Sequence, residues 1–332
     1  MEQVAGLRVQ HVYLKDATVG DNMEGEVLES IIRGAGFDVV YGHEPMERVV
    51  CFGGGGMFYD RGHEDNWLEK KWIRAVESAD RVAAFSIGVQ SPLNPKYYGR
   101  IISRCEVITV RNHVSMGRIM GMVSGDVWIM PPLGFLYPFD EYASAKRDID
   151  IGVAINCQEM PNARREEVMK NKPWAMQRIV LEHLPDDAVI IPCAEPHEEY
   201  DVWNTKKLDI LHNRDMRPDV FVEHVSRCRV LICGRYHGLI TAMMTGTPAI
   251  VVGESIQTGL GKVGILAVTA GLKKIYHVRT FVSNMDEIIR SVMDDWKSMS
   301  NYMMKAGKVL RRQALFHGRL VEKWLNSCRR SS

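Results

Sequence analysis

The feature that most constrains this chain is a repeating unit: a short apolar run, often β-branched, then a glycine or polar turn, then a stretch with helical period. Val49-Val50-Cys51-Phe52 runs into Gly53–Gly56, and residues 66–79 then place Trp67, Leu68, Trp72, Ile73 and Val76 on one helical face. Arg81–Phe85 leads into Ser86-Ile87-Gly88 and a turn holding Pro92 and Pro95, and Glu106–Val110 leads into Arg111-Asn112 and a helix reaching about Met122. Strands that are apolar throughout and alternate with helices are parallel strands covered on both faces. The rhythm breaks between Pro131-Pro132 and Lys146-Arg147-Asp148, where prolines and exposed charge leave no sustained period. It restarts with strands at Asp150–Ile155, Ala188–Pro192, Arg229–Cys233 and Ala249–Val252, and with helices near 173–183, 219–226, 235–245 and 261–270. Residues 286–327 read as one or two long amphipathic helices without a strand partner.

The expected architecture is therefore α/β, with two Rossmann-like domains facing each other across a cleft. The domains are residues 1–146 and 147–285, followed by C-terminal helices at 286–332. A length of 332 residues with 46% hydrophobic content is enough for two cores. Lys plus Arg number 42 against 41 Asp plus Glu, and a net charge of +1 weighs against a surface devoted to nucleic acid. That sum leaves local basic clusters open. The seven cysteines form no C-x-x-C pair and most lie in apolar runs, as in a protein of a reducing compartment. No signal segment and no run of about 18 apolar residues is present. The expectation is a soluble, cytoplasmic protein with no membrane span.

In parallel α/β sheets ligands bind beyond the carboxyl ends of the strands. The residues following strands are Gly53–Gly56, Ser86, Arg111, Cys193–His197, Gly234–Gly238 and Gly253-Glu254. Among these, Gly234-Arg235-Tyr236-His237-Gly238 carries the most chemistry. Gly234 permits an unusual backbone angle and a close approach, and Arg235 and His237 stand at the first turn of a helix, where an anion is favoured. A guanidinium clamps phosphate or carboxylate, and an imidazole transfers a proton near neutral pH. The plain alternative is that Arg235 caps a neighbouring element and His237 is a core histidine. Its place at a strand end, between glycines, favours the anion site. Gly53–Gly56 fits neither a Walker loop nor a dinucleotide fingerprint. Gly54 and Gly55 there serve either close ligand approach or tight helix–sheet packing. Asp60, Arg61 and His63, soon after, form a polar cluster suited to sugar hydroxyls. Arg111 is either a surface ion-pair partner or a second anion clamp. Lys262, at a helix start after a strand, reaches a phosphate or simply faces water. Glu195–Asp201, with His197, is too thin in ligands for a metal site.

Taken together these elements resemble the polysaccharide pyruvyl transferase family. The resemblance rests on Gly20-Asp21-Asn22, Phe52–Met57, Ser86-Ile87-Gly88-Val89 and Thr109–Ser115. It rests further on Gly234–Gly238 with Gly246-Thr247-Pro248-Ala249, and on Lys262 before Gly271-Leu272. Asn112 stands where the family pattern shows aspartate, and Pro131-Pro132 where it shows an Asp-Pro step. The resemblance implies a glycosyltransferase-B-like fold and transfer of the pyruvyl group of phosphoenolpyruvate onto a sugar of a glycan or glycan precursor as a ketal, with release of phosphate. It implies that Arg235 and His237 are catalytic, and that Arg111, Gly234, Tyr236, Gly238 and Lys262 bind the donor. Gly54, Gly55 and His63 fall on the acceptor side. The scheme needs no metal and no cofactor beyond the donor substrate. Its partners are phosphoenolpyruvate and a glycan acceptor, with room for peripheral contact with a lipid-linked acceptor. Two other readings share the scaffold. One is a nucleotide-sugar glycosyltransferase gripping a ribose with Glu254; the other is a non-catalytic protein that keeps the fold.

Overall fold

The computed structural model describes residues 7–15, 18–55, 58, 67–89, 92–144, 146–155, 177–194, 209–213, 215–253 and 261–330. The chain divides into two compact units. The first holds Met1–Lys15, Asp21–Tyr137 and Arg311–Ser332; the second holds Asp16–Gly20 and Pro138–Leu310.

In the first unit the elements run β1 (Arg8–Val12), α1 (Val19–Gly34), β2 (Asp38–Tyr41), β3 (Val49–Gly53), α2 (Trp67–Ser78), β4 (Arg81–Ile87), α3 (Pro95–Ile102), β5 (Val107–Val110), α4 (His113–Ile119) and β6 (Asp126–Ile129). The strands form one sheet in the order β2-β1-β3-β4-β5-β6, every pair parallel. All five residues of β3 are buried, as the continuous apolar run requires of a strand covered on both faces. Phe52 and Trp72 meet edge to face at 5.9 Å, and Phe58 and Tyr98 lie 5.5 Å apart, at the centre of this core.

In the second unit come α5 (Phe139–Tyr142), β7 (Ile149–Ala154), α6 (Gln177–Leu181), β8 (Val189–Ile190), β9 (Asp209–Ile210), α7 (Pro218–Ser226), β10 (Cys228–Cys233), α8 (Tyr236–Thr245), β11 (Ala249–Gly253), α9 (Gly261–Thr269), β12 (Ile275–His277), α10 (Val278–Ser283), α11 (Met285–Asp294) and α12 (Trp296–Arg329). Its sheet is again all parallel, in the order β12-β11-β10-β7-β8-β9. Val153, Val230, Ile232, Ile250, Val252 and Phe281 are at most 1% exposed and pack in one cluster.

Two expectations change. The stretch after Pro131 is no exposed linker: Leu133, Phe135 and Phe139 are fully buried, and the division between units falls within it, between Tyr137 and Pro138. The C-terminal helical segment is not a separate tail either. Residues from Arg311 onward belong to the first unit, because Val321, Trp324 and Leu325 are buried and the Trp324 indole donates to Glu106 at 3.1 Å. Arg81 pairs with the same carboxylate and also donates to the Ser327 hydroxyl at 2.9 Å.

Candidate active site

Each sheet has one place where the strand order reverses and successive crossovers depart to opposite faces, which is where such sheets take ligands. In the second unit it lies between β7 and β10. The segment leaving β10 at that point is Gly234-Arg235-Tyr236-His237-Gly238. The amides of Gly234 and Arg235 both donate to the carbonyl of Ala154 at the end of β7, at 2.9 and 3.2 Å. Arg235 is the N-cap of α8 with an extended backbone (φ −102°, ψ 136°), and its own side chain makes no capping hydrogen bond. The first bond of the helix runs from Leu239 N to Arg235 O, 3.1 Å. At this helix start the dipole favours negative charge.

Packing explains the second of the two glycines. A Cβ at Gly238 would stand 3.2 Å from Cys233 Sγ and 3.5 Å from Ala154 Cβ, so the missing side chain lets α8 start close against the strand ends. Gly234 does not use the left-handed region. The positive φ of this unit's helix sits at its far end, on Gly246 (φ 67°), whose amide closes on Ala242. Thr247 then receives a hydrogen bond from Arg147 at 2.6 Å and gives one to Val225 O at 3.0 Å. Gly246-Thr247-Pro248 is thus the turn that returns the chain to β11.

His237 is half-buried and meets the Tyr236 ring edge-on at 5.4 Å. Its imidazole lies against Gly20: a Cβ built there would be 1.7 Å from His237 Nδ1. The chain around Gly20 is itself fixed in the second unit, since Val19 N donates to Cys193 O at 3.1 Å and Thr18 bridges Ala194. Lys262 is the second residue of α9, beyond β11, and is half-buried.

In the first unit the reversal lies between β1 and β3. Gly54 and Gly55 have φ of 92° and 96°, a conformation for which glycine is the natural choice. A Cβ on Gly55 would fall 1.5 Å from Asp21 Oδ1, and one on Gly54 would fall 2.9 Å from the backbone nitrogen of Gly25. These glycines let the start of α1 lie on the strand ends, which is the tight-packing alternative. Arg111 is neither on the surface nor open. Its side chain is 5% exposed and pairs at 2.7 Å with Glu24, 0% exposed, on the second turn of α1. Its Nε also donates to Ser86 O at 2.9 Å. An anion at Arg111 has to share it with Glu24. Ser86 lies inside β4 at a register shift, with φ 58°, unusual for a residue with a side chain. Its amide donates to Thr109 Oγ1, 2.7 Å, and Thr109 meets His317 Nε2 at 2.6 Å. His317 Nδ1 lies 2.9 Å from Pro131 O, so with that carbonyl as acceptor it is the ring's donor nitrogen. Burial pushes the His317 pKa down to about 4. His63, with Asp60 and Arg61, lies outside the described residues, as do Gly56, Glu195–Asp201 and Glu254.

The sequence pattern that defines the polysaccharide pyruvyl transferases matches residues 20–255. The chain belongs to the polysaccharide pyruvyl transferase family. Among solved structures it is similar to an uncharacterized protein from Klebsiella pneumoniae, at 12% identity over 82% of this chain and 92% of that one, with a TM-score of 0.52. It is also similar to an α-glucosyltransferase solved with UDP and a 13-mer DNA containing a HMU base, at 9% identity over 97% of this chain and all of the other, with a TM-score of 0.55. At such identities the likeness is one of fold, that of the B-type glycosyltransferases. A search of curated proteins returns no significant match.

As a member of the pyruvyl transferase family the chain departs from pattern at Asn112, and the structure gives that position a job. Asn112 is the N-cap of α4, its Oδ1 accepting from Ser115 N at 2.8 Å, while Ser115 Oγ accepts from Val89 N at 3.1 Å. Aspartate and asparagine supply the same acceptor oxygen there. Sequence reasoning missed Glu24, His317 and the Gly20–His237 contact. Glu24 reads as an ordinary helix residue, and the other partners are more than 180 positions apart in the chain, with no periodicity to join them.

Proposed function

We propose that this pyruvyl transferase family member moves the pyruvyl group of phosphoenolpyruvate onto two hydroxyls of a sugar in a glycan or glycan precursor, with the donor seated at Gly234–Gly238. The observation that carries the reading is the placement of Arg235 at the N-cap and His237 in the first turn of α8, at the strand-order reversal of the second unit. A donor with both a phosphate and a carboxylate needs cationic and N–H partners of that kind. In the reaction a proton adds to the methylene carbon of phosphoenolpyruvate, leaving an oxocarbenium-like centre at the neighbouring carbon. One sugar hydroxyl oxygen bonds to that carbon, the carbon–oxygen bond to phosphate breaks, and the second hydroxyl closes the ketal. Of the two hydroxyl protons, one balances the proton taken up by the methylene and the other leaves with phosphate. His237 is assigned one of these proton transfers, and Arg235 with Lys262 the charge on the departing phosphate. Arg111, paired with Glu24, is assigned to holding the start of α1 in place.

Calorimetric titration of the protein with phosphoenolpyruvate tests the donor. Arg235→Ala is expected to weaken binding by about tenfold or more, the loss of one charge-assisted contact. Binding of uridine diphosphate with no response to phosphoenolpyruvate would instead select the nucleotide-sugar reading, and binding of neither would select a non-catalytic role.

A further inference from the structure

Helix α12 has a charge distribution that the net charge of the chain conceals. Its sequence, WKSMSNYMMKAGKVLRRQALFHGRLVEKWLNSCR, contains eight Lys and Arg and one acid, Glu322, in a chain with 42 basic and 41 acidic residues. From Arg311 onward its buried side is Ala314, His317, Val321, Trp324, Leu325 and Cys328. The opposite side carries Arg312, Leu315, Phe316, Arg319 and Lys323, all exposed. Leu315 is 50% and Phe316 61% exposed, and Phe316 is the most exposed large apolar side chain among the described residues. The Arg319 guanidinium lies over the Phe316 ring at 5.5 Å.

We propose that this face of α12 binds an anionic lipid surface, lying in the plane of the headgroups. Charge decides against a second copy of the chain, because two such faces would set Arg312, Arg319 and Lys323 against their own kind. The interleaved apolar groups decide against nucleic acid, since phosphate contacts give Leu315 and Phe316 nothing to bury against. An acidic bilayer surface accepts both: apolar side chains enter the headgroup boundary, and long cationic side chains reach lipid phosphates from the same stripe. The proposal does not depend on the donor. A protein held this way works where lipid-anchored glycans are, whichever activated group it transfers.

The test is flotation of the full-length protein with vesicles of phosphatidylcholine, with and without phosphatidylglycerol, at low and high salt. Partition onto the phosphatidylglycerol vesicles alone, weakened by salt, is expected. Arg312→Glu with Arg319→Glu should lower it by about tenfold or more, and Leu315→Ser with Phe316→Ser should lower it at both salt concentrations. All four residues are exposed, so thermal melts of the variants should match the parent and separate lost binding from lost folding. No partition at low salt overturns the proposal, as does partition unchanged in the charge variant. Loss on charge reversal with no effect of the serine variant removes the lipid and leaves a generic polyanion site. Tighter binding to a short DNA duplex than to the vesicles also overturns it.

Discussion

At the scale of single residues, the contact between Gly20 and His237 makes the sharpest demand. Any side chain at position 20 occupies the space of the imidazole, so Gly20→Ala has to turn His237 away while leaving the rest of α8 in place. Displacements of about 1 Å in a catalytic group cost roughly a hundredfold in rate. Gly20→Ala is therefore expected to lower kcat by one to two orders of magnitude with little change in melting temperature, measured by phosphate release and calorimetry. Unaltered kinetics in a variant that folds would sever His237 from the reaction. The Arg235-x-His237 pair was legible in the sequence because it stands in a local pattern, an apolar strand ending in glycine before a helix. Gly20 was visible only as part of a family element. What makes it glycine is a side chain 217 positions away, and no local pattern encodes such a distance.

Elements were legible in proportion to how apolar they are. Strands β3, β4, β10 and β11 sit within two residues of their expected bounds, because parallel strands buried on both faces are continuous apolar runs. β1 was not expected, and its sequence shows why: Gln10 and His11 interrupt the run, yet both are buried. Gln10 is satisfied by the carbonyls of Gly42 and Glu44, at 2.9 and 2.7 Å, and His11 Nε2 by Gly53 O at 3.2 Å. Polar side chains that find backbone partners in neighbouring segments do not announce themselves as core. Helix α4 gives the prediction at this scale. Asn112→Asp should leave stability nearly unchanged, since it keeps the capping oxygen and adds charge favoured at a helix start. Asn112→Ala should cost about 1 kcal/mol in urea denaturation. Equal losses from both would mean that the cap at Ser115 N contributes nothing.

For the whole molecule, the two parallel sheets were legible from the repeated rhythm, and the membership of the units was not. A boundary read from prolines and charge treats the chain as consecutive domains, whereas the first unit takes its last layer from α12. Acid should expose this arrangement. Burial lowers the pKa of both His11 and His317 to about 4 from an ordinary 6.5. Below pH 6.5 the unfolded chain binds protons that these two rings refuse, so their contribution is intact above that value and is lost as pH falls towards 4. The loss is roughly 3 kcal/mol per histidine. Urea midpoints should fall steeply between pH 6.5 and 4, and His317→Gln should flatten part of the slope. A slope that His317→Gln leaves untouched would place the acid sensitivity elsewhere.

The hydroxyl of Thr109 meets the ring of His317, 208 residues further along the chain. A ribosome adding about 5–20 residues per second needs roughly 10–40 s to make that distance. Once β6 has been made, the first unit has every strand of its sheet but lacks the helix that covers Phe85 and pairs with Glu106, while every residue of the second unit emerges before the first is complete. The half of the protein whose synthesis begins first is the half completed last, and an early stop codon within α12 but beyond Leu310 would damage the beginning of the chain rather than the second unit.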